Sequence, residues 1–166
     1  MIIGFIGCGT IAKSTIEGIC KSKIKCKKIL ISSRNKKNST TLKKKYNKIF
    51  VYKNNQDIVD KSDWVFLSIT PSVGEKIIKD LEFKTNQTVI SFISTITLSE
   101  LKKMIKKKVD LVRAIPLPPI SLKKGPVPIC PPNKKVKNFF DNKGSTIEIK
   151  SEKLSINFWS TSGMMA

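Results

Sequence analysis

Directly after the apolar run Ile2-Ile3-Gly4-Phe5-Ile6 the chain reads Gly7-Cys8-Gly9-Thr10-Ile11-Ala12, a G-x-G-x-x-A pattern in which each position has a physical task. Gly7 permits a tight turn out of a buried strand, Gly9 leaves the backbone bare, and Ala12 lets a helix pack closely against a sheet. Thr10 to about Lys21 carries Ala12, Ile16, Ile19 and Cys20 at helical spacing, and Lys28 to Ser32 forms a second β-rich run. Strand, glycine turn, helix and second strand occupy Ile2 to Ser32, close to the roughly 30 residues such a unit needs. The free N–H groups and the positive dipole end of that helix are suited to seat a pyrophosphate. The pattern predicts a dinucleotide site built from Ile6, Gly7, Cys8, Gly9, Thr10, Ile11 and Ala12.

The end of the second strand separates the two nicotinamide cofactors. An Asp or Glu there accepts from a ribose 2′-OH, whereas basic and hydroxyl donors accommodate a 2′-phosphate. The residues are Ser32-Ser33-Arg34-Asn35-Lys36-Lys37, with no acid among them. Ser33, Arg34 and Lys36 offer hydroxyl, guanidinium and ammonium donors. The expected cofactor is NADP(H).

The remainder alternates short apolar runs with helical patterns, which predicts an α/β domain of the Rossmann type, doubly wound around a mainly parallel sheet. Helices are expected from about Thr40 to Tyr46 with Ser39 as N-cap, Gln56 to Lys61, Ser72 to Leu81, after the Thr97-Leu98-Ser99-Glu100 capping box, and Lys134 to Asp141. Strands are expected at Ile49–Tyr52, Asp63–Ile69, Thr88–Ile93, Asp110–Ile115 and Thr146–Ile149. Ser68-Ile69-Thr70-Pro71 should lie at the carboxyl edge of the sheet, where open α/β folds bind ligands. Pro116 to Pro132 reads as a proline-rich loop holding seven of the eight prolines, with Val127 to Cys130 as a short edge strand. Another helix is expected from Lys153 onward, and its apolar end at Ala166 suggests an incomplete chain.

With 32 Lys and Arg against 12 acids, the formal charge is +20. Such a balance invites a nucleic-acid reading. Yet only two of the cations are Arg, the lysines are spread through the chain with abundant Ile and Asn, and basic–aromatic interleaving is missing. The composition resembles the codon bias of an AT-rich genome, so neither a nucleic-acid nor a membrane partner is expected. The chain has no histidine, which removes imidazole chemistry altogether. Cys8, Cys20, Cys26 and Cys130 form no C-x-x-C pair, so no metal site or disulfide framework is expected, and Cys8 reads as a small filler beside the cofactor. No apolar run approaches a membrane span and the N-terminus lacks the marks of a secretory leader, so the expectation is a cytoplasmic protein.

Taken together, Gly4 to Ala12, Ser32-Ser33-Arg34, Asn55 before a short helix, Phe66-Leu67-Ser68-Ile69-Thr70-Pro71, Val112-Arg113-Ala114-Ile115-Pro116 and Ser162-Gly163 resemble pyrroline-5-carboxylate reductase. The resemblance runs along essentially the whole chain. It implies an NADPH-dependent oxidoreductase that reduces a cyclic imine, 1-pyrroline-5-carboxylate, to L-proline by hydride transfer. It also implies a nucleotide domain over residues 1–150, the start of a helical dimerisation and substrate domain over 151–166, a homo-oligomeric full-length form, and little reductase activity for this piece alone. Cofactor contacts carried over by position are the Gly7–Ala12 loop, Ser33, Arg34, Asn55, and Ser68, Ile69, Thr70 and Pro71; no catalytic acid or base is carried over. Several positions depart from the family pattern: Thr70 replaces Lys, Ile93-Ser94-Thr95 replaces a small Ala-Ala-Gly turn, Leu117-Pro118 replaces Asn-Thr, and the Ser162–Ala166 segment lacks a second Ser-Gly. These changes leave open a relative with another substrate, or a nucleotide-sensing domain that has lost the chemistry.

Overall fold

The computed structural model describes residues 1–142 and 144–154. Its strands are β1 Ile2–Ile6, β2 Lys28–Ser32, β3 Ile49–Tyr52, β4 Trp64–Leu67, β5 Thr88–Ser91, β6 Asp110–Ala114, β7 Pro126–Cys130 and β8 Ser145–Glu148. Its helices are α1 Thr10–Lys21, α2 Lys36–Lys45, α3 Asn55–Lys61, α4 Pro71–Lys79, α5 Leu98–Ile105 and α6 Lys134–Asp141, with a 3-10 helix at Pro118–Leu122. All eight strands join one sheet in the order β3-β2-β1-β4-β5-β6-β7-β8, so that β3 and β8 are its edges. The first six strands are parallel, β7 runs antiparallel to β6, and β8 runs parallel to β7. This is the expected Rossmann-type α/β architecture.

The central strands are apolar on both faces because helices cover both. Ile29, Ile31, Phe5 and Phe66 point into one core with Ile16, Phe139 and Phe140, while Leu30, Ile6, Val65 and Leu67 point into the other with Ile78 and Leu101. Phe5 stacks on Phe66 at 4.6 Å between ring centroids, and Phe139 closes on Phe66 from α6 at 5.7 Å. Full burial of one such ring contributes about 1.5–3 kcal/mol, so the contact between α6 and the middle of the sheet is a principal part of the core. The Thr97 capping box forms as expected, with Thr97 N–H donating to Glu100 and Glu100 N–H donating to Thr97 Oγ1.

Several boundaries differ from the sequence expectations. Helix α2 starts at Lys36 rather than Thr40, and its N-cap is Asn35, which accepts from the N–H of Asn38 at 3.1 Å; Ser39 lies buried inside the helix. The strand expected from Asp63 to Ile69 is paired only over Trp64–Leu67, because Ser68 to Thr70 turn out of the sheet before Pro71 opens α4. Pro126–Cys130 is not an edge strand. It lies between β6 and β8, and part of the proline-rich segment before it is the 3-10 helix. The N–H of Ile149 donates to Ile129, so by strand alternation Val127 and Ile129 face β8, while Pro126 and Pro128 face the β6 side. There the register holds only two pairs, Arg113 with Cys130 and Ala114 with Ile129, and Pro128 serves as acceptor for Ile115 N–H. The prolines thus remove donors only where the ladder is short. Of the helix expected from Lys153, residues beyond Leu154, including Ser162-Gly163, lie outside the described residues.

Candidate dinucleotide site

A cleft of about 490 Å³ is lined by Gly7, Cys8, Gly9, Arg34, Asn35, Lys36, Ser68, Ile69 and Thr70. It lies at the carboxyl ends of β1 and β4, neighbours in the sheet, where the winding direction reverses. No carboxylate is among the lining residues.

The two glycines of the loop are required for different reasons. Gly7 has φ +98°, and a Cβ on it would meet the carbonyl oxygen of Ser68 at 2.1 Å, so the fold itself excludes a side chain. Gly9 has φ −72°, which any residue adopts, and a Cβ there would meet nothing within 4 Å. The protein does not need Gly9 to be bare, and the space beside it is open to a ligand group laid against the backbone. Gly9 is also the N-cap of α1, provides no side-chain cap, and is followed by a first turn without acids. The leading N–H groups of α1 therefore suit an anion.

Two side chains brace the loop. The N–H of Gly7 donates to Ser32 Oγ at 2.7 Å in a buried position, and Asn38 Nδ2 donates to the carbonyl of Cys8 at 2.9 Å. Sequence reasoning missed the bracing role of Ser32 and Asn38, and it missed Asn35. The available signal was Asn35 three residues before Asn38, an Asx cap that starts α2 at the cleft. Arg34 and Lys36 are exposed at the rim.

Of the expected residues, Gly7, Cys8, Gly9, Arg34, Ser68, Ile69 and Thr70 come together in the lining. Ile6 and Ala12 are buried beneath it, Thr10 and Ile11 lie in the first turn of α1, and Pro71 opens α4. Ser33 and Asn55 are not in the lining: Ser33 N–H is tied to the carbonyl of Tyr52 at the end of β3, and Asn55 is the first residue of α3. Burial pushes the Cys8 thiol up to about 11, with Lys13 drawing it partly back, so Cys8 is a neutral filler and not a nucleophile at neutral pH. Cys8, Cys20 and Cys26 are free thiols. Among the described residues there is no cluster of acids and cysteines able to hold a metal, and no helix is long and apolar enough to cross a membrane.

Residues 2–95 match the family model described as NADP oxidoreductase coenzyme F420-dependent. The chain belongs to this family. As an NADP oxidoreductase coenzyme F420-dependent member it carries an NADP-binding domain, and the cleft fits that cofactor: a bare Gly9, an uncapped helix start, cations at the rim, and no acid to repel a phosphate. The chain is 24% identical over 117 residues to pyrroline-5-carboxylate reductase 1 of Dictyostelium discoideum, covering 69% of this chain and 21% of that protein. It superposes on 1-pyrroline-5-carboxylate reductase from Streptococcus pyogenes with a TM-score of 0.79 at 26% identity, covering 99% of this chain and 63% of that one. Pyrroline carboxylate reductase from Plasmodium falciparum, solved with NADP bound, has the same TM-score and coverage at 20% identity. The family resemblance seen in the sequence is met by these structures. The chain spans about 63% of the length of these solved relatives.

Proposed function

We propose that the chain is the cofactor-holding part of an NADPH-dependent reductase of the pyrroline-5-carboxylate type, which reduces 1-pyrroline-5-carboxylate to L-proline. The observation that carries this reading is the cleft: an intact glycine loop with open space at Gly9, in a chain whose described residues share the fold of that enzyme. Bound there, NADPH supplies a hydride for the carbon of a C=N bond, while the ring nitrogen takes a proton from solvent. The Gly7–Ala12 loop holds the pyrophosphate against α1, and Arg34 with Ser33 and Lys36 receives the 2′-phosphate. Ser68, Ile69, Thr70 and Pro71 orient the nicotinamide half, and Asn55 supports the adenosine side. The chain's own contribution is positioning and electrostatics, with no acid or base of its own in the step. Residues 1–150 serve as the nucleotide domain, and the reductase acts as a cytoplasmic homo-oligomer.

A second reading has its own support. Thr70, Ser94 and Thr95 are exposed at the ends of β4 and β5, at positions where the resembling enzymes carry Lys and a small Ala-Ala-Gly turn. Polar side chains there favour a family member with another substrate, or one that senses the nucleotide without turning it over. Calorimetric titration with NADPH and NADH, followed by single-turnover oxidation of NADPH with the cyclic imine, tests both. Tight NADPH binding with imine-dependent oxidation supports the reductase. Oxidation driven by other imines or carbonyl compounds but not by this one supports the second reading, and binding of neither nucleotide overturns both.

A further inference from the structure

Arg113, the fourth residue of β6, is buried, with 1% of its surface exposed in the folded chain. Its Nη2 donates to the carbonyl of Ser94 in the loop between β5 and α5, and its Nη1 pairs with Glu152 Oε1 beyond β8. The same Glu152 oxygen accepts from the N–H of Leu98, the first residue of α5, at 2.7 Å. Three segments far apart in sequence therefore meet on one ion pair. The loop they fix continues to the cleft: Ile93 and Ile96 reach Gly74 of α4, a Cβ on which would meet them at 3.2 and 3.6 Å and Ile69 of the cleft lining at 3.7 Å.

The orientation of a dinucleotide in such a fold gives this joint a role. With the pyrophosphate on α1 and the 2′-phosphate donors at the end of β2, the adenosine half lies toward β2 and β3. The nicotinamide half then extends the other way, over the ends of β4 and β5, where Ile69 and the Ser94–Thr95 turn stand. We propose that Arg113 and Glu152 are positioning residues for the nicotinamide half of the cofactor, holding the β5–α5 loop at its edge of the cleft. This rests on the NADPH reading given above. A planar guanidinium can serve a carbonyl and a carboxylate at once in fixed directions, which a lysine ammonium on a flexible stem does not reproduce.

The test compares NADPH with 2′,5′-ADP, which carries the adenosine half and its 2′-phosphate but no nicotinamide. Affinities are measured by calorimetry for the full chain and for R113K and E152Q. Both variants should bind NADPH about tenfold more weakly while 2′,5′-ADP stays within about twofold of the parent chain. A merely structural ion pair would weaken both ligands together. A parallel loss for both ligands in both variants, or unchanged NADPH affinity, overturns the positioning role and leaves the NADPH reading standing. If the parent chain binds neither ligand, the NADPH reading fails and this proposal falls with it.

Discussion

The N–H of Gly7 donates to Ser32 Oγ over 2.7 Å, joining the glycine loop to the end of β2 across 25 positions of sequence. Both partners are buried, so replacing Ser32 with Ala leaves the Gly7 N–H without an acceptor. That should lower stability by about 1–3 kcal/mol and loosen the loop proposed to receive the pyrophosphate. A thermal melt of S32A together with NADPH titration checks this; an unchanged melting temperature would refute the bracing role.

Gly7 and Gly9 should respond in opposite ways to the same substitution. Gly7→Ala forces a side chain into a positive-φ position against the Ser68 carbonyl, a strain of at least about 1–3 kcal/mol before the clash is counted. Its melting temperature should fall clearly. Gly9→Ala meets no protein atom and should melt like the parent, yet its methyl group occupies the space a phosphate needs and NADPH binding should be lost. Equal behaviour of the two variants in both measurements would contradict the division of roles.

Arg34 is exposed at the rim, with no acid beside it in the cleft lining. A charge-assisted hydrogen bond to a 2′-phosphate is worth about 1.5–3 kcal/mol, so Arg34→Ala should weaken NADPH by about tenfold or more. NADH, which lacks that phosphate, should be unaffected. Side-by-side calorimetry distinguishes this from a general loss of affinity, which would point to a solvated turn instead.

The buried thiols give the fold an alkaline limit. Burial raises Cys8 and Cys20 from an ordinary 9.0 to about 11, so the folded chain holds these protons more tightly than the unfolded chain. For a group raised in this way the stabilisation is complete below the unfolded value and is lost as pH climbs toward the folded one. Melting temperature should therefore fall between pH 9 and about 11, and Cys8→Ser should make the fall shallower. A melting temperature independent of pH in that window would count against burial as the cause.

The parts legible in the sequence were those where one physical requirement dominates. Ile2–Ile6 and Lys28–Ser32 declared themselves as strands because helices cover both faces and the strand interiors are runs of apolar residues. The glycine loop was legible because the turn at Gly7 admits no side chain, a demand that fixes residue type on its own. Helix α2 was misplaced because Lys36 to Thr41 are all polar, so apolar spacing gives no start and only the Asn35 cap marks it. Strand β7 was misjudged because proline normally signals an edge; that both prolines turn the same way, toward a two-residue ladder, is a tertiary fact. The Arg113–Glu152 joint had no local signal either: Arg113 lies in the Val112–Pro116 motif, but its partner is 39 residues away and outside any motif.

The two edges of the sheet carry a consequence for the behaviour of the chain in concentrated solution. β3 and β8 have four residues each, so a strand docking on either side gains only a short ladder. Copies that each bear +20 approach one another against electrostatic repulsion before any such pairing begins. Short, guarded edges of this kind resist the strand-by-strand growth that leads to fibrils, and they turn self-association toward surfaces other than the sheet.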